Sequence, residues 1–178
     1  MRPYRGCLAL LAVLASAPAA AADYSYVDLG AVNEQRPAAL TGRGSLLAVS
    51  LGLNEHTFLF GEYEDESAAQ VTLRDHALGL GAHWMLDEYL DLSVGAGWAA
   101  KAAPLKTDQG WLAKLPLRWT PLDDLEIEPG IWRTAPGRGV NQLYADVRYR
   151  FADSWVVGAG LAHGDGDRLL RVYIRLYL

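Results

Sequence analysis

The last residues of the chain alternate strictly between apolar and polar side chains. Leu170, Val172, Ile174, Leu176 and Leu178 fall on one face, and Arg171, Tyr173, Arg175 and Tyr177 fall on the other. Successive side chains of a β-strand point to opposite faces, whereas a helix would mix these arginines with the leucines. The pattern therefore predicts a strand with one apolar face, which runs to the last residue of the sequence.

The same alternation recurs through most of the chain. It predicts ten strands, with eight as the fallback count, at residues 24–32, 45–53, 57–64, 71–84, 90–102, 111–119, 125–132, 142–151, 155–163 and 168–178. Short turns at Asn54-Glu55, Asp87-Glu88, Asp123-Asp124 and Asp153-Ser154 alternate with longer predicted loops at residues 34–44, 65–69, 104–108, 134–140 and 164–167. An even number of strands with short turns at one end and longer loops at the other is typical of a closed up-and-down barrel.

The N-terminal residues resemble a secretory signal. Arg2 and Arg5 precede an apolar stretch, residues 7–15, and Ala20-Ala21-Ala22 forms a small-residue cleavage site before Asp23. We therefore expect cleavage after Ala22 and a single domain at residues 23–178. The one cysteine, Cys7, lies in the signal, which excludes disulfides, cysteine-bound zinc and thiol nucleophiles from the domain.

Charge and hydropathy argue against a nucleic-acid-binding protein and against a helical membrane protein. The chain carries 16 Lys+Arg and 21 Asp+Glu, a mildly acidic balance that gives no indication of nucleic-acid binding. After the signal, no stretch approaches the ~20 consecutive apolar residues of a transmembrane helix. Any membrane span must then consist of strands.

Glycines and aromatic residues indicate which face is outside. Glycines 30, 52, 79, 81, 95, 97, 158 and 160 lie on the polar face among long charged side chains, where a narrow lumen needs the space. Large aromatic residues lie near the strand ends, as in the belts at bilayer interfaces. The predicted girdle consists of Trp84, Tyr89, Trp98, Trp111, Trp119, Tyr149, Phe151 and Trp155. A soluble barrel or sandwich is the alternative, and these observations favour the membrane barrel.

These features together resemble the small bacterial outer-membrane β-barrels of the OmpA/OmpX and porin-like class. The residues that carry the resemblance are the signal, the paired glycine-rich strands, the first strand 24–30 and the alternating C-terminus. It implies an outer-membrane location after export, with outer-membrane lipids and lipopolysaccharide as surroundings. It also implies that the barrel-assembly machinery reads Leu170, Val172, Ile174, Leu176 and Leu178, although this chain ends in leucine where the class usually has phenylalanine.

The inward face is expected to hold a network of charges. Its predicted members are Asp28, Glu62, Glu64, Asp75, Asp91, Lys101, Lys114, Arg118, Glu126, Glu128, Asp146, Arg148, Arg150, Arg171 and Arg175. Arg118 should lie near Glu126 or Glu128 across a hairpin. Closure should bring Arg171 and Arg175 beside the first strand, where Asp28 is the nearest candidate carboxylate. Unpaired buried charges are costly, so these groups should pair and close the lumen.

No catalytic constellation is found. No serine stands beside His163 at the position that outer-membrane lipid A deacylases require. The proximity of His163 to Asp165 and Asp167 in sequence resembles the Asp/His pairs of outer-membrane proteases only weakly. Residues 164–167 suit a tight turn better than a calcium site. The sequence predicts a non-enzymatic barrel without cofactors, with a structural or surface-interaction role. A narrow pore for small solutes and an outer-membrane lipid-modifying enzyme remain as alternatives.

Overall fold

The computed structural model describes residues 24–35, 41–68, 71–135 and 139–178. They form a closed antiparallel barrel of ten strands, so the fallback count of eight is wrong. The strands are β1 (Tyr26–Gln35), β2 (Thr41–Gly52), β3 (Thr57–Ala68), β4 (Val71–Met85), β5 (Leu90–Ala103), β6 (Lys106–Leu122), β7 (Leu125–Thr134), β8 (Val140–Ala152), β9 (Trp155–Gly164) and β10 (Asp167–Tyr177). The predicted signal peptide and its cleavage site lie outside the described residues.

Every strand pairs with its neighbours in sequence, and β1 closes the barrel against β10. In that closing pair Asp28 lies opposite Arg175, and Leu29 lies opposite Ile174. Both pairs join residues of the same face, because alternation has period two and a slip of one residue would invert it. The register therefore keeps one apolar and one polar surface around the whole circumference.

The apolar surface faces outward. Leu29, Leu78, Leu80 and Leu161 are each more than half exposed, whereas the residues beside them in the strands point into the lumen. The inward glycines provide room, as predicted. A Cβ at Gly160 would collide with the carboxylate of Asp146, and one at Gly81 would collide with the ring of Phe58.

The two ends of the barrel differ in chemistry. We call the end with Tyr26, Tyr177 and the turns after β2, β4, β6 and β8 the lower end, and the opposite one the upper end. At the lower end, the side chain of Asn54 accepts hydrogen bonds from the backbone N–H groups of His56 and Thr57 at 2.9 and 3.0 Å. Such side-chain acceptors stabilise tight turns and explain why short polar segments suffice there.

The predicted contrast between short and long connections is absent where the structure describes both ends of the barrel. The upper connections 104–105 and 165–166 are as short as the lower ones at 53–56, 86–89, 123–124 and 153–154, whereas the other three predicted upper loops lie partly outside the described residues. Most of the residues assigned to upper loops belong to strands, for example the end of β3 and the start of β2. Above the apolar surface both faces of a strand tolerate polar residues, so the alternation fades while backbone pairing continues.

Two seams of the barrel are irregular. The pairing of β6 with β7 shifts between Trp119 and Leu122, and the pairing of β8 with β9 shifts between Arg150 and Ala152. Among the described residues, no helix is long and apolar enough to cross a bilayer.

Candidate functional site in the barrel lumen

Three cavities lie in series along the lumen. The upper cavity has a volume of about 110 Å³, the middle cavity about 90 Å³ and the lower cavity about 190 Å³. The upper and middle cavities share Glu62, Trp132, Tyr144 and Arg171 in their walls, and the middle and lower cavities share Arg118 and Arg148. We call these two sets of shared residues the upper partition and the lower partition.

Arg148 is the centre of the lower partition. Its side chain is 5% exposed, and its Nη1 group donates to Glu126 and, at 2.9 Å, to Glu128. Its Nε group donates to the hydroxyl of Tyr173 at 2.8 Å. Arg118 lies 3.6 Å from Glu126 and 4.0 Å from Glu128, so the predicted contact across this hairpin is present. Two cations and two carboxylates therefore fill this level of the lumen.

Within the upper partition, Arg171 on β10 bridges carboxylates from two other strands. Its Nε group donates to Asp146 at 3.0 Å, and its Nη1 group lies 3.7 Å from Glu62. Glu62 also accepts a hydrogen bond from Lys114 at 2.8 Å, and the Lys114 ammonium lies 3.7 Å from the ring centroid of Trp132. Arg171 lies beside the strand of Asp28, as predicted, but the expectation that Asp28 is its nearest carboxylate is wrong, because its side chain reaches Asp146 and Glu62 instead.

Arg175 and Asp28 join the first and last strands. Two hydrogen bonds of 2.7 and 2.8 Å connect the guanidinium to both carboxylate oxygens, as expected for a bidentate pair. The guanidinium carbon also lies 3.5 Å from the ring centroid of Tyr26. Arg175 is 1% exposed and Asp28 is 4% exposed. The closing seam of the barrel is thus fastened by a fully buried ion pair.

Charges in the central lumen balance. The central cluster contains five cations and five carboxylates, namely Lys114, Arg118, Arg148, Arg171 and Arg175 with Asp28, Glu62, Glu126, Glu128 and Asp146. Each of them lies within 4.0 Å of an opposite charge. Buried charges are tolerated when they are paired and hydrogen-bonded. The cluster is therefore suited to filling space rather than to attracting an ion of one sign.

An aromatic layer lies below this cluster. The hydroxyl of Tyr24 donates to Asp91 at 2.9 Å, and the Nδ1 atom of His83 lies 3.1 Å from the same carboxylate. Tyr24 stacks on His83 with ring centroids 4.0 Å apart, and Arg118 lies 4.4 Å from the Tyr24 ring centroid. The sequence prediction included Asp91 but assigned no role to Tyr24 or His83. The parity of His83 in its strand was the available signal for an inward position.

The remaining predicted members of the network lie nearer the two ends. Lys101 pairs with Asp75 at 3.1 Å in the wall of the upper cavity. Glu64 lines the same cavity and makes no hydrogen bond or ion pair within the described part of the chain. Arg150 lines the lower cavity, and its guanidinium lies 5.2 Å from the ring centroid of Tyr177.

The predicted girdle residues are about half exposed, at 45–56%, and those in strands point outward, whereas Tyr89 lies in a turn at the rim of the lower cavity. Trp84, Tyr89, Trp119, Tyr149, Phe151 and Trp155 lie near the lower end, whereas Trp98 and Trp111 lie opposite each other on β5 and β6 toward the upper end. Along β6, the distance from Trp111 to Trp119 is about 27 Å, which gives a belt of about 20 Å at a strand tilt of roughly 40°. Trp132, the remaining tryptophan, points inward to the upper partition.

The residues of the predicted assembly signal lie on the outer surface of β10 and at its lower end. Leu170, Val172 and Ile174 are 45–49% exposed, Leu178 is 39% exposed and Leu176 is half-buried. They alternate with Arg171, Tyr173 and Arg175 of the lumen. From Leu170 to Leu176 the strand therefore presents an uninterrupted apolar outer face.

The structure separates the residues that were weighed for catalysis. His163 points outward, and its Nδ1 atom lies 3.0 Å from the backbone oxygen of Asp167, whose side chain lines the upper cavity. Asp165 and Gly166 form the connection between β9 and β10 with φ values of 49° and 91°, which matches the turn prediction. Within the described ranges, no cluster of three His, Cys, Asp or Glu residues is arranged to hold a metal ion.

Comparisons with known proteins support the fold. No family model matches the chain, and no curated protein matches its sequence. Among solved structures, the NanC porin matches with a TM-score of 0.59 and 10% identity over 85% of this chain and all of that one. The KdgM porin, solved in complex with disordered oligogalacturonate, matches with a TM-score of 0.50 and 10% identity over 86% of this chain and 99% of that one. Neisserial surface protein A matches over 86% of this chain at 9% identity and a TM-score of 0.45. The chain has the fold of the bacterial outer-membrane β-barrels.

Proposed function

We propose that this protein is a non-enzymatic outer-membrane β-barrel whose lumen is closed to solutes. Export by the N-terminal signal would deliver it to the outer membrane, where its apolar outer face contacts lipid. Its role is then structural or depends on contacts at its outer and upper surfaces. The observation that carries this proposal is the pair of ion-paired partitions, which fill the lumen at two separate levels.

The small barrel provides a physical reason for closure. The interior of a barrel of about eight strands is just wide enough for its own side chains, and a ten-strand barrel is only about a quarter wider. Here five arginine and lysine side chains extend into it and are held by five carboxylates, so opening a passage would leave buried charges without partners. Breaking such a pair costs about 3–5 kcal/mol, far more than thermal energy.

Planar-bilayer recordings test closure directly. Purified protein that has folded into vesicles, verified by heat-modifiable mobility on gels, should give no discrete conductance steps. As a positive control we suggest a charge-balanced variant that removes two cations and two carboxylates, Glu128→Ala, Asp146→Ala, Arg148→Ala and Arg171→Ala. It enlarges both partitions and should conduct. Regular steps from the wild-type protein would overturn the closed-lumen proposal.

A narrow pore for small solutes is the second candidate. Two observations favour it: adjacent cavities share wall residues, so that only side chains separate them, and the similar structures include two porins. If the wild-type protein conducts, block of its current by oligogalacturonate would indicate that it shares with KdgM the ligand named for that porin as well as the fold. Absence of block would limit the likeness to the fold.

A further inference from the structure

Charges on the outer surface differ between the two ends of the barrel. In the described residues, the lower turns contain only acidic charged side chains, Glu55, Asp87, Glu88, Asp123, Asp124 and Asp153. The outward positions of the upper strand ends contain four arginines, Arg43, Arg74, Arg133 and Arg168, with a single carboxylate, Asp65. A surface of this kind favours anions at the upper end and repels them at the lower end.

Two of these arginines are already engaged by the protein. Arg74 donates to Asp65 at 3.2 Å, and the guanidinium of Arg133 lies 5.5 Å from the ring centroid of Trp111. By contrast, Arg43 and Arg168 are exposed and make no hydrogen bond or ion pair with any described residue. Their guanidinium groups can therefore donate to an external ligand without giving up an existing partner.

The register brings Arg43 and Arg168 to the same part of the outer surface. Arg168 lies opposite Gln35 on β1, and Gln35 lies opposite the start of β2. Arg43 on β2 lies opposite Asn33, two residues lower on the same β1 strand. Two strand spacings and an offset of two residues separate the backbones of the two arginines by about 12 Å. Asn33 and Gln35 lie between them, and both amide side chains face outward and can donate hydrogen bonds. We call these four residues the Arg43/Arg168 patch.

An apolar surface continues directly below the patch. Leu29, Leu47, Leu161, Leu170 and Val172 lie on the outer faces of β1, β2, β9 and β10 and are 40–63% exposed. The exposed carboxylate nearest in sequence to the patch is Asp165, in the turn that precedes Arg168. Hydrogen-bond donors for an anion thus lie above, and an apolar surface for acyl chains lies below, within four adjacent strands.

We propose that the Arg43/Arg168 patch binds the phosphate of an anionic membrane lipid, whose acyl chains lie on the leucine surface below. Arginine is well suited to phosphate because its planar group donates two parallel hydrogen bonds. A free phosphate ion would use only the upper half of this surface, whereas a phosphorylated lipid uses both halves. The inference requires insertion with the upper end in the outer leaflet, and it does not depend on whether the lumen conducts.

The test measures binding of lipid A, a phosphorylated glycolipid, to the purified full-length barrel in neutral detergent micelles by native mass spectrometry. The patch variant is Arg43→Gln with Arg168→Gln, and the matched control is Arg74→Gln with Arg133→Gln. Removing one arginine from an anionic lipid site weakens binding by about fivefold, so the patch variant should bind about 30-fold more weakly. The control should change by less than about threefold.

Two further ligands identify the source of the phosphate. Dephosphorylated lipid A should bind wild-type protein and patch variant equally weakly, and inorganic phosphate at the same concentration should not displace lipid A. All four arginines are exposed, so both variants should keep the heat-modifiable mobility of the folded barrel. Equal losses in the patch variant and the control, or no loss in either, would overturn the assignment of the site. Displacement by inorganic phosphate would overturn the lipid as its ligand.

Discussion

The ion pair that joins the first and last strands offers a quantitative prediction. Arg175→Leu removes two charge-assisted hydrogen bonds to Asp28, of 2.7 and 2.8 Å, and leaves that carboxylate buried. Hydrogen bonds to charged groups contribute about 1.5–3 kcal/mol each, and removing one partner of a buried pair costs about 3–5 kcal/mol. We therefore expect a loss of about 4 kcal/mol in the free energy of unfolding. With a urea slope near 2 kcal/mol per molar, the midpoint should fall by about 2 M.

Urea unfolding in lipid vesicles, followed by tryptophan fluorescence and gel mobility, measures this loss. Removing both partners, as Asp28→Leu with Arg175→Leu, should recover most of the stability, because no unpaired charge remains. Arg168→Leu on the outer face of the same strand should change stability by less than about 0.5 kcal/mol. The fraction of Arg175→Leu protein that reaches the membrane should fall proportionally less than its free energy of unfolding does. A double variant less stable than Arg175→Leu alone, or equal losses of stability and targeting, would refute the inward ion pair.

Two other matched comparisons test the lumen. Glu62→Gln should lower the unfolding free energy by about 2–3 kcal/mol in urea titrations, because Glu62 is held by two cations, whereas Glu64→Gln should leave it unchanged or raise it by up to about 1 kcal/mol; the reverse order would contradict the pairing scheme. Gly160→Ala should cost about 3 kcal/mol by displacing buried charged groups, whereas Gly61→Ala on the open outer face should stay within about 0.5 kcal/mol, as measured by thermal loss of heat-modifiable mobility. A loss for Gly160→Ala as small as that for Gly61→Ala would mean that the lumen has spare room.

Much of the barrel could be predicted from sequence because lipid and lumen impose opposite demands on alternate residues. Strand number, face assignment and the contact between Arg175 and Asp28 all follow from parity and from pairing of neighbouring strands. The inward glycines could be interpreted for the same reason, since large side chains such as Phe58 require space opposite them.

Predictions failed where contacts do not follow strand order. Arg171 binds Asp146 and Glu62, and Lys114 binds Glu62 across the lumen, although β3 and β6 are not neighbours. Such contacts depend on strand tilt and barrel diameter, which alternation does not encode. The sequence pattern predicts loops at the upper ends of the strands for a related reason, because the apolar alternation stops before backbone pairing does.

The central claim is that the apolar face contacts lipid while the charged face is closed off from water. Since Cys7 is the sole cysteine and lies in the predicted signal, single thiols can be introduced by Ala145→Cys on the outer face and Ser93→Cys in the wall of the middle cavity. In vesicles, a bimane label on the thiol from Ala145→Cys should be quenched by brominated lipid. The thiol from Ser93→Cys should stay unmodified by a charged, water-soluble methanethiosulfonate until urea unfolds the barrel. An unquenched outer label together with rapid modification of the lumen thiol would contradict the account.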